Sequence, residues 1–172
     1  MSKVAIVTGS SRGIGKACAL RLAKEGMDVV VNYNSNEEEA MKVVNAIKEM
    51  GCDAIAIKAN MGNQKEVAGM FREAYKHFGH IDVLVNNAGI AEQALITDIT
   101  DEMWQKMIGV NLTGAFNCTR SALPYMINNK RGRIINVASM WGEVGASMEV
   151  HYSTAKAGLI GMTKALAKEV GL

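Results

Sequence analysis

A single proline, Pro124, occurs in 172 residues. With 49% hydrophobic and 21% charged residues, that scarcity argues against a disordered chain and leaves apolar material for a sizeable core in one domain. Cysteine is scarce too: Cys18, Cys52 and Cys118 are odd in number, far apart and set in apolar or helical surroundings. No pair has the spacing of metal ligands, so no metal site is expected, and a reducing compartment suits them. The 19 basic and 17 acidic residues leave a net charge of +2, with no cationic block. Nucleic acid and an anionic membrane surface are therefore not expected as partners. No apolar run reaches membrane-spanning length, and the N-terminus enters a strand pattern without a signal-peptide layout. A soluble, cytoplasmic protein is expected, free of repeats and linkers.

What the chain does contain alternates regularly. Val4-Ala5-Ile6-Val7 reads as a buried strand. It runs into Thr8-Gly9-Ser10-Ser11-Arg12-Gly13-Ile14-Gly15 and then a helical pattern through Ala17, Leu20, Leu22 and Ala23. Glycines between a strand and a helix let the backbone turn sharply and approach a ligand, while the helix N-terminus offers free N–H groups to a phosphate. A second strand, Met27 to Val31, ends at Asn32-Tyr33-Asn34-Ser35. An acid at this end would bind the ribose hydroxyls of NAD and repel a 2′-phosphate; none appears before Glu37. Arg12 can neutralise a phosphate, and Asn32, Asn34 and Ser35 offer hydrogen bonds, so NADP is favoured over NAD; a simply solvated Arg12 is the plain alternative.

The alternation continues with a helix over Asn36 to Met50, a strand over Ala54 to Ile57 ending at Asn60-Met61, and a helix through Val67, Met70, Phe71, Ala74 and Phe78. A fourth strand, Ile81 to Val85, enters Asn86-Asn87-Ala88-Gly89, where small residues leave room for a cofactor or where the two amides only tie the loop. A long helical stretch follows from Thr100, with Pro124 late in it. Asn111 sits inside that stretch, a poor helix former. It reads either as a satisfied core amide or as a local break holding a water or a backbone group. The fifth strand is Arg133 to Ser139, Met140 to Val150 form a loop, and the last helix starts near Tyr152 and runs to Val170. Five strands alternating with helices predict an α/β fold with a doubly wound parallel sheet, and the glycine loop after the first strand makes it Rossmann-like, in the order 3-2-1-4-5.

Tyr152 and Lys156 lie one turn apart on that last helix. A free tyrosine holds its proton to about pH 10, and a neighbouring ammonium favours its phenolate and so eases proton transfer. Ser139, thirteen residues earlier, offers a hydroxyl to the same substrate oxygen. Alone, a tyrosine and a lysine at this spacing also occur on solvated helix faces.

Taken together, Thr8 to Gly15, Asn86 to Gly89, Asn111, Ser139 and Tyr152-x-x-x-Lys156 resemble the short-chain dehydrogenase/reductases, in order along the whole chain. Asn117 to Arg120, Gly132 to Asn136 and Ala155 to Gly161 are most similar to the bacterial 3-oxoacyl-[acyl-carrier-protein] reductase branch. The resemblance implies NADPH-dependent carbonyl reduction of a 3-oxoacyl group. In it, Tyr152 gives a proton to the carbonyl oxygen, and Lys156 favours the phenolate and holds the nicotinamide ribose. Ser139 orients the carbonyl, and Asn111 anchors a water that relays protons to Lys156. The cofactor contacts it implies are Gly9, Ser11, Arg12, Ile14, Asn32, Asn34, Ser35, Asn60, Met61, Asn87, Ala88, Gly89, Tyr152 and Lys156. At Asn60 the family usually has Asp, whose role toward the adenine amino group an Asn oxygen can still fill.

The loop Ser139 to Ser147, with Glu149 to Tyr152, is also similar to a branch that reduces a ketone on modified elongation factor P. A non-catalytic nucleotide-binding module is the third reading. The resemblance further implies a sixth strand, a substrate-covering helical segment and a seventh strand beyond Gly171-Leu172. Residues 1–172 are accordingly expected to form one dinucleotide-binding and catalytic domain lacking those parts, with its fifth strand as a sheet edge, weak NADP(H) binding and poor turnover. A homodimer through the 101–128 and 152–170 helices is expected as well.

Overall fold

A computed structural model describes residues 2–171; Met1 and Leu172, the ends of the expected domain, lie outside them. The elements follow in order as β1 (Val4–Val7), α1 (Gly13–Lys24), β2 (Asp28–Tyr33), α2 (Glu37–Glu49), β3 (Ala54–Lys58), α3 (Gln64–Phe78) and β4 (Val83–Asn86). They continue as α4 (Asp101–Ile108), a π-helical turn (Gly109–Thr113), α5 (Gly114–Asn128), β5 (Arg133–Asn136), α6 (Trp141–Val144) and α7 (Val150–Val170). All four strand pairings are parallel, as the alternation predicts, and the order is β3-β2-β1-β4-β5, as expected of a Rossmann-like sheet.

Successive side chains on a strand point to opposite faces, so each strand of this sheet feeds two cores. Ala5, Val7, Val29 and Val31 face Ala19, Ala23, Val43 and Ile47 of α1 and α2. Ile6, Val30 and Leu84 face Met70, Phe71, Cys118 and Ala122 of α3 and α5. Helices on both faces bury β1 completely, which is why it carries no polar residue. The chain moves outward from β1 through β2 to β3, then returns to start β4 on the other side of β1. That reversal opens a crevice at the carboxyl ends of β1 and β4.

Several boundaries differ from the sequence reading. The long stretch from Thr100 is three pieces, with Asn111 at the centre of the π turn and Pro124 inside α5. The turn admits a close approach: a Cβ on Gly114 would lie 2.8 Å from the Met61 carbonyl oxygen. β2 extends to Tyr33 because β3 pairs with it that far, Tyr33 opposite Lys58. β5 stops at Asn136, three residues before Ser139: Asn86 is the last β4 residue opposite it, and only Val137 N–H still reaches Asn86 O, at 3.0 Å. Met140 to Val150 is not all loop, since Trp141–Val144 makes one helical turn. α7 begins at Val150, two residues ahead of Tyr152, so the tyrosine sits within the first turn.

β5 is an edge strand, with Ile135 49% exposed. Beside it an open groove of about 620 Å³ runs between α5, β5 and α7, lined by Leu123, Ile134, Leu166 and Val170 among others.

Candidate active site

The loop between β1 and α1 is built around Thr8 and three glycines. Gly9 adopts φ +62° and Gly13 φ +57°, conformations that disfavour any residue with a Cβ. Gly15 is set by space instead: a Cβ there would lie 2.4 Å from Gly9 O and 2.5 Å from the Asn87 amide nitrogen. The Thr8 hydroxyl accepts from the backbone N–H groups of Asn87 (3.0 Å) and Ala88 (2.9 Å) and donates to Val85 O (3.3 Å). Asn87 in turn donates its side-chain amide to Thr8 O and Gly9 O, at 3.0 and 3.2 Å. The glycine loop and the Asn86–Gly89 loop therefore form one hydrogen-bonded unit across the crevice.

α1 starts at that unit. Its N-cap, Arg12, is extended and makes no side-chain capping bond, and its first turn holds no acid. Ile14 is 66% exposed and nothing stands within 4 Å of a Cβ placed on Gly13. A helix end with free N–H groups, a positive dipole and open space in front of it suits a pyrophosphate, so these residues fit a dinucleotide. Past β2, Asn34 and Ser35 are exposed while Asn36 caps α2 through Glu39 N–H, at 3.1 Å. Lys42 pairs with Glu38 and Glu39 at 2.9 and 2.7 Å, which offsets the acids of that first turn.

Asn32, a cofactor contact by resemblance, is 1% exposed. Its oxygen accepts from Gly9 N–H at 2.9 Å and its amide donates to Ile57 O and Ala59 O at 3.3 and 3.1 Å. It braces the glycine loop from beneath and ties β2 to β3. Met61 is buried, with the Cys118 thiol 3.5 Å from its sulfur. Burial pushes that thiol up to about 12, so it stays protonated and inert. The Asn60 oxygen accepts from Gly62 N–H at 2.9 Å, which leaves its second lone pair free.

Lys156 is the buried cation of the site. Its Nζ donates to Val137 O at 2.7 Å and stands 5.7 Å from the Tyr152 ring centroid. Burial holds this ammonium below its ordinary value of 10.5. Ser139 Oγ accepts from Trp141 N–H at 3.2 Å, leaving its own hydrogen to donate. His151 and Ser153, on either side of Tyr152, carry buried polar atoms with no partner among the described residues.

Asn111 resolves into both of its readings. It is 1% exposed, its oxygen accepts from Ile90 N–H and its amide donates to Ile90 O, each at 2.8 Å. The amide is satisfied, and what it holds is the backbone just past Gly89; a Cβ on Gly89 would lie 3.0 Å from its oxygen. Sequence reasoning missed the part played by Thr8, whose only signal was its place between strand and glycine. It also missed the Val137 carbonyl, which no residue type could announce.

A family model described as short chain dehydrogenase matches residues 3–172. The chain belongs to the short chain dehydrogenase family. It is an oxidoreductase of a nicotinamide-dependent class. A 3-oxoacyl-[acyl-carrier-protein] reductase FabG of Staphylococcus aureus Mu50 is 46% identical over 170 residues, covering 99% of this chain and 69% of that protein. The 3-oxoacyl-[acyl-carrier-protein] reductase of Synechocystis is 48% identical over 169 residues, 98% and 68% of the two. A crystal structure of a Sinorhizobium meliloti protein titled as a short-chain alcohol dehydrogenase superposes with a TM-score of 0.94 at 35% identity. It covers 98% of this dehydrogenase and 67% of that chain. Among the described residues no helix is long and apolar enough to cross a membrane.

The depressed Lys156 has a thermodynamic consequence. Between its folded value and 10.5 the unfolded chain binds the extra proton, so the stability contribution of this residue rises with pH across that window. Lys156→Met should flatten the rise, read from denaturation midpoints of both proteins at neutral and alkaline pH.

Proposed function

We propose that residues 1–172 form a single dinucleotide-binding and catalytic domain of a cytoplasmic, NADP(H)-dependent carbonyl reductase acting on 3-oxoacyl groups carried by acyl-carrier protein. The observation that supports it most is the Lys156 ammonium, buried beside Tyr152 and held by the Val137 carbonyl. The similarity to two 3-oxoacyl-[acyl-carrier-protein] reductases supports the substrate.

The bound dihydronicotinamide supplies the hydride that reduces the carbonyl carbon. Every other demand falls on the chain. Ser139 donates its hydroxyl hydrogen to the substrate oxygen while Trp141 N–H fixes the hydroxyl from behind. Tyr152 transfers its phenolic proton to that oxygen as negative charge builds there. Lys156 favours the resulting charge on the tyrosine and reaches the nicotinamide ribose. Asn111 keeps Ile90 and Gly89 in place and, through the π turn against α7, shapes the wall beside Lys156. Gly9, Ser11, Ile14, Asn87, Ala88 and Gly89 border the pyrophosphate and nicotinamide, and Asn60 and Met61 the adenine. Arg12, Asn34 and Ser35 surround the 2′-phosphate, and Lys42 reduces the repulsion from Glu38 and Glu39.

An isologous dimer through the 101–128 and 152–170 helices completes the proposal. Phe116 and Ile127 are 46% and 60% exposed on α5, with the Arg120 guanidinium 5.0 Å above the Phe116 ring. Light scattering across a concentration series should give a mass of two chains; a single-chain mass at every concentration removes the dimer.

Two substitutions test the chemistry. Tyr152→Phe should lower turnover of an acetoacetyl thioester by about 10²–10⁴-fold while NADPH fluorescence titration still reports binding; unchanged turnover rejects the reading. Arg12→Ala should weaken NADPH binding by roughly tenfold or more, the worth of a charge-assisted hydrogen bond, and leave NADH binding nearly untouched. An equal loss for both cofactors would show that Arg12 does not read the 2′-phosphate.

A further inference from the structure

A chain of side-chain hydrogen bonds crosses the molecule behind the proposed site. The Thr163 hydroxyl on α7 donates to Leu159 O at 2.7 Å. Its single hydrogen being committed, its oxygen can only accept, and it accepts from the Asn136 amide at 2.8 Å. That fixes which way the Asn136 amide faces: its oxygen points to β4 and accepts from the Asn86 amide, also at 2.8 Å. The other Asn86 hydrogen goes to the Thr119 hydroxyl on α5 at 3.2 Å. Four elements, α5, β4, β5 and α7, are thus tied by bonds that run outward from the Asn86 amide, one way to α5 and the other through Asn136 to α7. The cost shows at Asn86, whose oxygen is left buried without a partner among the described residues.

The two residues that hold α7 are consecutive, Asn136 as the last of β5 and Val137 as the first beyond it. Asn136 holds Thr163, and Val137 O holds Lys156. Thr163 and Lys156 are seven apart, two turns along one face, and Tyr152 lies one turn before Lys156 on the same stripe. Ser139 follows three residues after Asn136. Two ties therefore set how α7 sits on β5, and with it the spacing of Tyr152 from Ser139. One of them is the lysine that also serves the cofactor, its ammonium having three hydrogens to share between Val137 O and a ligand.

We propose that Thr163, acting through Asn136 and Asn86, is a positioning residue of the reductase. It keeps α7 in register on β5 when the Lys156 ammonium shares its hydrogens between the Val137 carbonyl and the nicotinamide ribose. The proposal rests on the roles of Tyr152 and Lys156 given above. Neither Thr163 nor Asn136 touches the reacting atoms, so loss of the bond slows the chemical step and leaves binding alone.

The substitution Thr163→Val keeps the branched shape and removes only the hydroxyl. Thr163 is exposed, so the fold tolerates it, and a thermal scan checks that it does. We expect kcat to fall roughly fivefold, the effect of one net hydrogen bond, with KM for cofactor and thioester unchanged, and Thr163→Ser to restore it. In the cofactor-free protein, the side-chain amide signals of Asn136 in a ¹H–¹⁵N spectrum should move in Thr163→Val and stay in Thr163→Ser. Wild-type kcat in Thr163→Val, failure of serine to rescue, or unmoved Asn136 signals overturns the proposal. Tyr152→Phe separates the two failures: if it abolishes turnover while Thr163→Val is silent, the active-site reading stands and only the positioning role falls.

Discussion

A lysine ammonium held out of water at the end of a parallel strand is the constraint on which the rest of this structure depends. Removing a charge from water is costly, and here burial depresses Lys156 while one backbone carbonyl offers it a partner. The arrangement persists because everything around it is over-determined. The residue just past β5 presents Val137 O, the π turn supplies a wall, and α7 carries Lys156 and Tyr152 on one face. A cation kept in this way is a fixed source of potential beside a phenol, which is what a proton donor to a developing oxyanion requires.

The fold supplies that constraint through the reversal of strand order at β1. With β2 and β3 on one side and β4 and β5 on the other, the loops after β1, β4 and β5 converge on one rim. Thr8 and Asn87 lock two of those loops together, and Asn111 locks the second to the π turn. The glycines matter here for space more than for flexibility. At Gly15 the neighbouring carbonyl leaves no room for a methyl group, and this closeness brings the start of α1 up to the crevice.

Much of this was legible in the residues. The all-parallel sheet follows from apolar runs of strand length alternating with helical periods, and its strand order from the glycine loop that marks the sheet as Rossmann-like. The pairing of Tyr152 with Lys156 follows from helical spacing alone. What was not legible were the roles of groups that look alike in any sequence. Asn32 reads as a polar residue at a strand end offered to a ligand, yet its amide is consumed by Gly9, Ile57 and Ala59. Asn111 reads as a misfit in a helix, and only its partner, Ile90, shows why the helix opens into a π turn.

By itself, then, the sequence determined the type and order of the elements along the chain, because periodicity and turn chemistry are local properties, while the candidate catalytic residues came from the resemblance of its motifs to a family. Tertiary structure alone decided which donors remain for a ligand and which are already satisfied, where β5 ends and how α7 is seated on it. Those outcomes depend on partners far apart in the chain, such as Val137 with Lys156 or Asn86 with Asn136, and a hydrogen bond between them exists only once packing has brought both to within three ångströms.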